Sequence, residues 1–226
     1  MPPGFEDVFG SVCAVLVRIL GGLGRAGAFG TRRGYDAVSD MALPDNLTFS
    51  GAVLAGGRSS RFGQDKALYV HEGKPLAVRA LASFARADER FVVSSRPYAF
   101  GVPCYPDRYP GSSLGGLHAA LLHAAHDWVA VAACDMPFLT PDYWEKLLAH
   151  TQGVQAVVVQ GPSGRLEPLA ALYHKTLLPL AEGRLKAGDF KLSGLLEATE
   201  VRVLAFGALG LDPDVFVNLN RLEDVP

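Results

Sequence analysis

Gly51-Ala52-Val53-Leu54-Ala55-Gly56-Gly57-Arg58-Ser59-Ser60-Arg61-Phe62-Gly63-Gln64-Asp65-Lys66-Ala67-Leu68 is the stretch that decides how this chain folds. With Phe49 it opens as a short apolar run, the pattern of a buried β-strand. Ala55, Gly56 and Gly57 then break the run with residues that let the backbone turn tightly and come close to a ligand. Bare N–H groups in such a loop can face phosphate oxygens. Arg58, Arg61 and Lys66 add mobile positive charge on the same side. No Gly-Lys-Ser/Thr follows the glycines, so this is not a P-loop. As a glycine-rich turn alone, the stretch would equally suit an ordinary connection from strand to helix.

From Phe49 onward, apolar strand-like runs alternate with helical patterns, the rhythm of an α/β fold with a mainly parallel sheet. Helices are predicted over Pro75 to Arg86, Leu114 to Ala125, and Pro141 to Ala149, the last capped by Thr140. Strands are predicted at Phe91 to Ser94 and Trp128 to Ala133. Ala156 to Gln160 and Leu169 to Tyr173 flank the turn Gly161-Pro162-Ser163-Gly164, which predicts a hairpin or an antiparallel excursion. Two further helices, Leu177 to Leu185 and Leu192 to Ala198, precede short strands at Val201 to Ala205 and Val215 to Val217, and a last helix could begin at Arg221.

Asp135 ends an apolar strand and is followed by Met136-Pro137. Ligands of open parallel sheets gather at the carboxyl ends of the strands, so Asp135 and the loop from Ala55 are predicted to face one crevice. A carboxylate beside a triphosphate needs a cation between them, and Mg²⁺, which uses one or two carboxylates plus phosphate oxygens, is the natural bridge. The plainer alternative is an aspartate that forms a turn. Lys66, ten residues after Gly56, could reach the α- or β-phosphate or be an ordinary surface lysine. Asp107 lies in Tyr105-Pro106-Asp107-Arg108-Tyr109-Pro110-Gly111, ahead of Leu114-Gly115-Gly116. It could accept hydrogen bonds from a base or act as a turn residue. Arg61 could bind phosphate or pair with Asp65. His118, His123 and His126 do not share a helical face as metal ligands would, and are predicted to be solvated or partly buried.

Taken together, LAGG, RSSRFG and QDKAL, then the Asp107 segment with LGG, CDMPFL at Asp135, and Asn218-Leu219-Asn220 near the end, resemble the molybdenum cofactor guanylyltransferases. Gly164-Arg165-Leu166-Glu167-Pro168-Leu169 also matches a family segment and is expected on the acceptor side. The resemblance covers about Thr48 to Asp224 and implies a Rossmann-like, three-layer α/β/α nucleotidyltransferase fold with a mainly parallel central sheet. It implies GMP transfer from GTP to the phosphate of molybdopterin or Mo-molybdopterin, giving the guanine dinucleotide and pyrophosphate. Leu54, Ala55, Gly56, Gly57, Arg61, Lys66, Asp107 and Asp135 would bind nucleotide. Lys66 and Asp135 would be catalytic, and Asp135 would hold Mg²⁺. Molybdoenzymes or cofactor-insertion proteins would be downstream partners. The family usually has Thr-Pro after the second asparagine, where this chain has Arg221-Leu222, so Asn218 and Asn220 receive no role. The alternatives are a sister cytidylyltransferase using CTP, whose members tend to read LAAG, and a non-catalytic nucleotide or cofactor carrier.

Charge is nearly balanced, 21 basic against 23 acidic residues, which gives no footprint for nucleic acid or a membrane surface. Cys13, Cys104 and Cys134 are scattered and odd in number, fitting a reducing cytoplasm rather than a disulfide framework or zinc site. Residues 1–47 read as an extension, flexible or a misassigned start, and residues 48–226 as the nucleotidyltransferase domain. Val8 to Leu20 is too short to span a bilayer. Gly22-Leu23-Gly24-Arg25-Ala26-Gly27 matches a dinucleotide fingerprint, but Gly30, Thr31 and Gly34 are predicted to disrupt any helix after it, and no second strand is predicted before Asp40 or Asp45.

Overall fold

A computed structural model of the chain describes residues 47–56 and 65–219, all within the unit Asp40–Pro226. Apart from Leu47, the predicted extension lies outside the described residues, as do Gly57, Arg61, Asn220 and the helix predicted from Arg221.

The chain enters the sheet with β1 (Phe49–Leu54) and makes a two-stranded ribbon of β2 (Val70–His71) and β3 (Lys74–Pro75). It continues through α1 (Leu76–Ala82), β4 (Glu89–Val93), β5 (Cys104–Tyr105), α2 (Ser113–His123), β6 (Trp128–Ala133) and α3 (Pro141–Leu148). The remainder is β7 (Ala156–Gln160), β8 (Ala170–His174), α4 (Leu178–Lys186), α5 (Leu192–Glu197) and β9 (Val201–Ala205). Seven strands form one sheet in the order β5-β4-β1-β6-β8-β7-β9. β8 runs against its neighbours β6 and β7, while the other pairs are parallel.

Side-chain alternation divides the core into two layers, as the period of a strand requires. Phe49 and Val53 of β1, with Val92 and Ala132, pack with Ala77, Ala80 and Leu81 of α1 and Tyr143, Trp144 and Leu147 of α3. Ala52 and Leu54, with Val93 and Val131, pack with Leu114, Leu117 and Leu121 of α2, Leu185 of α4 and Leu195 of α5. The result is the three-layer α/β/α arrangement implied by the resemblance. β1 and β6 are covered on both faces, which is why they read as continuous apolar runs. Each fully buried Leu or Phe contributes ~1.5–3 kcal/mol.

The connections create a switch point. β1 leads through α1 to β4 on one side, and the chain returns from β5 through α2 to β6 on the other. Val53 pairs with Val92 and with Ala132, so the carboxyl ends of β1, β4 and β6 lie level. A crevice at that edge is where doubly wound sheets bind ligands.

Several features depart from expectation, among them the unpredicted edge strand β5. α1 stops at Ala82, short of Arg86, because Ser83 turns its hydroxyl back to Ala80 O at 2.7 Å and accepts the Trp144 indole N–H at 3.0 Å. The ribbon β2–β3 is formed through Glu72 and Gly73, with φ of 47° and 75°. Val215 to Val217 is not a strand. Pro213–Phe216 is a 3₁₀ turn, because Asp212 Oδ1 accepts the Asp214 N–H at 2.9 Å and Pro213 fits the first turn.

Candidate functional site

The carboxyl edge of β1, β4 and β6 frames a cavity of about 250 Å³. Leu54, Ala55 and Gly56 line it from β1, and Ala133, Cys134 and Asp135 line it from β6. Sheet pairing continues past the strand ends: Ala55 N donates to Val93 O at 2.8 Å and Cys134 N to Leu54 O at 3.1 Å. The first turn of the glycine loop and the Asp135 segment are therefore fixed relative to each other by backbone alone. Leu219 N donates to Asp135 O at 3.0 Å, so the buried Leu219, next to Asn218, ties the end of the described chain to the same loop.

Lys66 opens a 3₁₀ turn, Lys66–Leu68, capped by Asp65, whose Oδ1 accepts from Ala67 N at 3.1 Å. From there Lys66 Nζ reaches Asp135 Oδ2 at 2.9 Å, with both side chains about one-fifth exposed. Two residues 69 apart in sequence are thus an ion pair on the cavity wall. Asp65 Oδ2 accepts from the Tyr98 hydroxyl at 2.6 Å and from Arg96 at 3.2 Å. Burial, then the Asp65 bond and charge, push the Tyr98 hydroxyl far above its ordinary pKa.

Asp107 comes from the segment after β5 and is buried, its Oδ1 accepting the Tyr109 N–H at 2.8 Å. A Cβ built on Gly56 would meet Asp107 Oδ2 at 3.8 Å, so this carboxylate abuts the glycine loop. Burial pushes its pKa up, against the opposing pull of the Tyr109 N–H and His118. The next residues lead into α2, whose cap Ser112 accepts the Gly115 N–H at 2.9 Å. Ser112, Ser113 and Gly116 line the cavity, so the N-terminus of an 11-residue helix faces it, a favourable position for anionic groups. A Cβ on Gly116 would sit 3.0 Å from Leu54 Cδ1, so glycine lets α2 press against β1.

The structure therefore brings Leu54, Ala55, Gly56, Lys66, Asp107 and Asp135 into one cavity, while Gly57 and Arg61 lie outside the described residues. Sequence reasoning missed Ser112 and Ser113, and it saw Asp65 only as a possible partner of Arg61. Ser112 was legible as a capping serine ahead of Leu114. Leu169 closes the predicted acceptor-side segment onto the cavity, its carbonyl accepting Ala133 N at 2.9 Å. His118 is buried rather than solvated, and burial lowers its pKa. His123 stacks on Tyr105 at 4.1 Å and is also lowered by burial.

Among the described residues no three His, Cys, Asp or Glu side chains converge as a metal-binding group. An ion at Asp135 would take one protein carboxylate and fill its shell with phosphate oxygens and water. That is the coordination Mg²⁺ favours, so the donor present fits this ion. No helix among the described residues is long and apolar enough to cross a membrane.

The family model of the MobA-like NTP transferase domain matches residues 51–203. The chain is 41% identical over 184 residues to a probable molybdenum cofactor guanylyltransferase of Deinococcus radiodurans, covering 79% of this chain and 93% of that one. It is 33% identical over 189 residues to a probable molybdenum cofactor guanylyltransferase of Pyrococcus furiosus, covering 77% and 93%. Among solved structures, the molybdopterin-guanine dinucleotide biosynthesis protein A of Archaeoglobus fulgidus superimposes with a TM-score of 0.68 at 26% identity, covering 78% and 94%.

Proposed function

This chain belongs to the MobA-like NTP transferase family, and from that premise we propose that it transfers GMP from GTP to the phosphate of molybdopterin or Mo-molybdopterin. The observation that carries the proposal is the Lys66–Asp135 pair, 2.9 Å apart, in a cavity shared with Gly56 and Asp107. The names of the relatives from Deinococcus and Pyrococcus supply the nucleotide and acceptor.

In this reaction an acceptor phosphate oxygen forms a bond to the α-phosphorus while the bond to the pyrophosphate oxygen breaks. The acceptor is already ionised, so no strong general base is needed, and catalysis rests on orientation and charge neutralisation. The backbone of Leu54 to Gly56 and the N-terminus of α2 cradle the nucleotide. Asp107 accepts hydrogen bonds from it, and an unmet bond in such a pocket costs ~1–3 kcal/mol. Lys66 neutralises phosphate charge as it develops. Asp135 is the residue that would hold Mg²⁺, which when bound supplies further neutralisation of the phosphates. Near-balanced charge and isolated cysteines support a cytoplasmic enzyme.

The test is pyrophosphate release with Mg²⁺ and molybdopterin or its molybdate-loaded form, comparing GTP, CTP, ATP and UTP. Turnover with GTP, lost on chelation and largely lost in Asp135→Ala with an unchanged melting profile, is the expected result. Preference for CTP would overturn the base assignment. Wild-type rates in Asp135→Ala would remove the metal-holding role. Tight GTP binding without turnover would favour a carrier.

A further inference from the structure

We propose that Tyr98 is a positioning residue, whose hydroxyl acts through Asp65 to set where Lys66 meets the nucleotide phosphates. The proposal rests on the nucleotidyl-transfer reading above, and adds to it Tyr98 and Asp65, which that reading does not use.

Residues 94–103 connect β4 to β5 and touch both ends of the glycine-rich loop. At the Ala55 end, Ser94 Oγ donates to Ala55 O at 3.4 Å and accepts the Arg96 N–H at 3.0 Å. At the other end, Tyr98 Oη donates to Asp65 Oδ2 at 2.6 Å. Asp65 uses its two oxygens differently. Oδ1 caps the turn that begins with Lys66, and Oδ2 is held by the β4–β5 connection. Capping so short a turn needs only Oδ1, so the second bond joins the turn to a separate part of the fold.

Tyr98 is the stronger of the two groups on Oδ2. Arg96 is 72% exposed, where solvent screens an ion pair to little value. The Tyr98 hydroxyl makes a short bond to a charged acceptor, the stronger kind. Its ring is anchored as well, stacked on Phe100 at 5.1 Å and 20°, and both rings pack against the core that holds α1 and α3. A rigid ring thus presents a donor to a carboxylate next in sequence to Lys66. Lysine carries its charge on a flexible four-carbon stem, so the placement of its Cα limits where the ammonium can act. Displacement by an ångström at such a group can cost as much as 100-fold in rate.

Tyr98→Phe keeps the ring and its stacking and removes only the donor. Pyrophosphate release and nucleotide affinity by calorimetry are measured for wild type, Tyr98→Phe, Lys66→Ala and the double variant, with melting temperatures for all four. The expected result is a drop in kcat of about tenfold for Tyr98→Phe. Nucleotide binding should weaken several-fold, and the melting temperature should fall by no more than about 3 °C. In the Lys66→Ala background the same substitution should change kcat and affinity less than about twofold, because its target is gone. Tyr98→Phe with wild-type kcat and affinity would overturn the proposal. So would an equal loss in both backgrounds, which would mean that Tyr98 acts elsewhere. Absence of pyrophosphate release by wild type would count against the transfer reaction. The affinity comparison across the four proteins would then still decide the role of Tyr98.

Discussion

Gly115→Ala tests whether close packing at the start of α2 supports nucleotide binding. A Cβ at position 115 would fall well inside contact distance of the Tyr109 carbonyl oxygen, 2.9 Å from Tyr109 Cβ and 3.0 Å from Ser112 Oγ. Carbon atoms pack at ~3.5–4.0 Å, so the Tyr109 backbone must retreat by more than half an ångström. It is not free to do so. Tyr109 N holds Asp107 Oδ1 at 2.8 Å, and Ser112 Oγ holds Gly115 N at 2.9 Å. Overpacking against fixed backbone costs ~3 kcal/mol, the upper end of its usual range, and the better helix propensity of alanine returns ~1 kcal/mol. The net loss of ~2 kcal/mol corresponds to a fall in melting temperature of about 4–8 °C for a chain of this size. Displacing the Asp107–Ser112 segment should also raise KM for nucleotide by roughly tenfold, equivalent to ~1.4 kcal/mol, and more than it lowers kcat. Calorimetric melting and steady-state pyrophosphate release read the two effects. A variant that melts within 1 °C of wild type, to use about the limit of the method, with unchanged KM would refute the packing argument.

Gly183→Ala should act in the opposite direction, since Gly183 lies within α4 and a Cβ there meets nothing within 4 Å. A gain of ~0.5–1 kcal/mol in thermal unfolding with unchanged turnover is expected, and any loss of stability would contradict it. Asp107→Asn should trade binding for stability. Burial raises the folded-state pKa of Asp107, so its ionised form opposes folding. Protonation relieves this as pH falls through the raised value toward the ordinary carboxylate range. The nucleotide-free variant should therefore melt above wild type at neutral pH, with the gap closing in acid, while nucleotide affinity falls. A gap that stays constant with pH would show that Asp107 ionisation is not the cause.

Most of the fold was legible because burial on both faces leaves a plain trace. FSGAVL and WVAVAA, now β1 and β6, are apolar apart from Ser50 and lie side by side, so the central strands could be recognised. The place of β8 could not. The turn Gly161-Pro162-Ser163-Gly164 did mark its antiparallel run beside β7, but AALYH resembles any other strand, and its insertion between β6 and β7 depends on contacts far away in sequence. β2 and β3 have two residues each, too few for periodicity. Val215 to Val217 misled in the other direction. Its apolar residues serve the core through Val215 and Phe216, while Asp212-Pro213 dictates a turn. In the site, Lys66, Asp107 and Asp135 were visible through motifs that sit in loops after strands. Arg96 and Tyr98 were not, since they reach Asp65 from 31 and 33 residues away and no local spacing encodes that contact.

The cavity brings Asp65, Asp107 and Asp135 close to a single loop that would bind a polyanion, and each carboxylate is reconciled with that ligand in a different way. Asp65 is covered by the Tyr98 hydroxyl and the Arg96 guanidinium, so its charge is spent within the protein. Asp107 is held where burial disfavours ionisation and one backbone N–H partly compensates it. Asp135 differs in kind. Its partner Lys66 is a point charge on a flexible stem at the cavity wall, which incoming phosphates can draw toward themselves. That exchange would leave a hard oxygen donor facing the phosphates, whereas the covers on the other two carboxylates belong to the fold and stay in place. On the proposed reading, the capacity to change electrostatic state with ligand would reside in the Lys66–Asp135 pair. The Asp65 side chain, joined to the adjacent turn through one oxygen and to the sheet connection through the other, keeps the lysine of that pair in register.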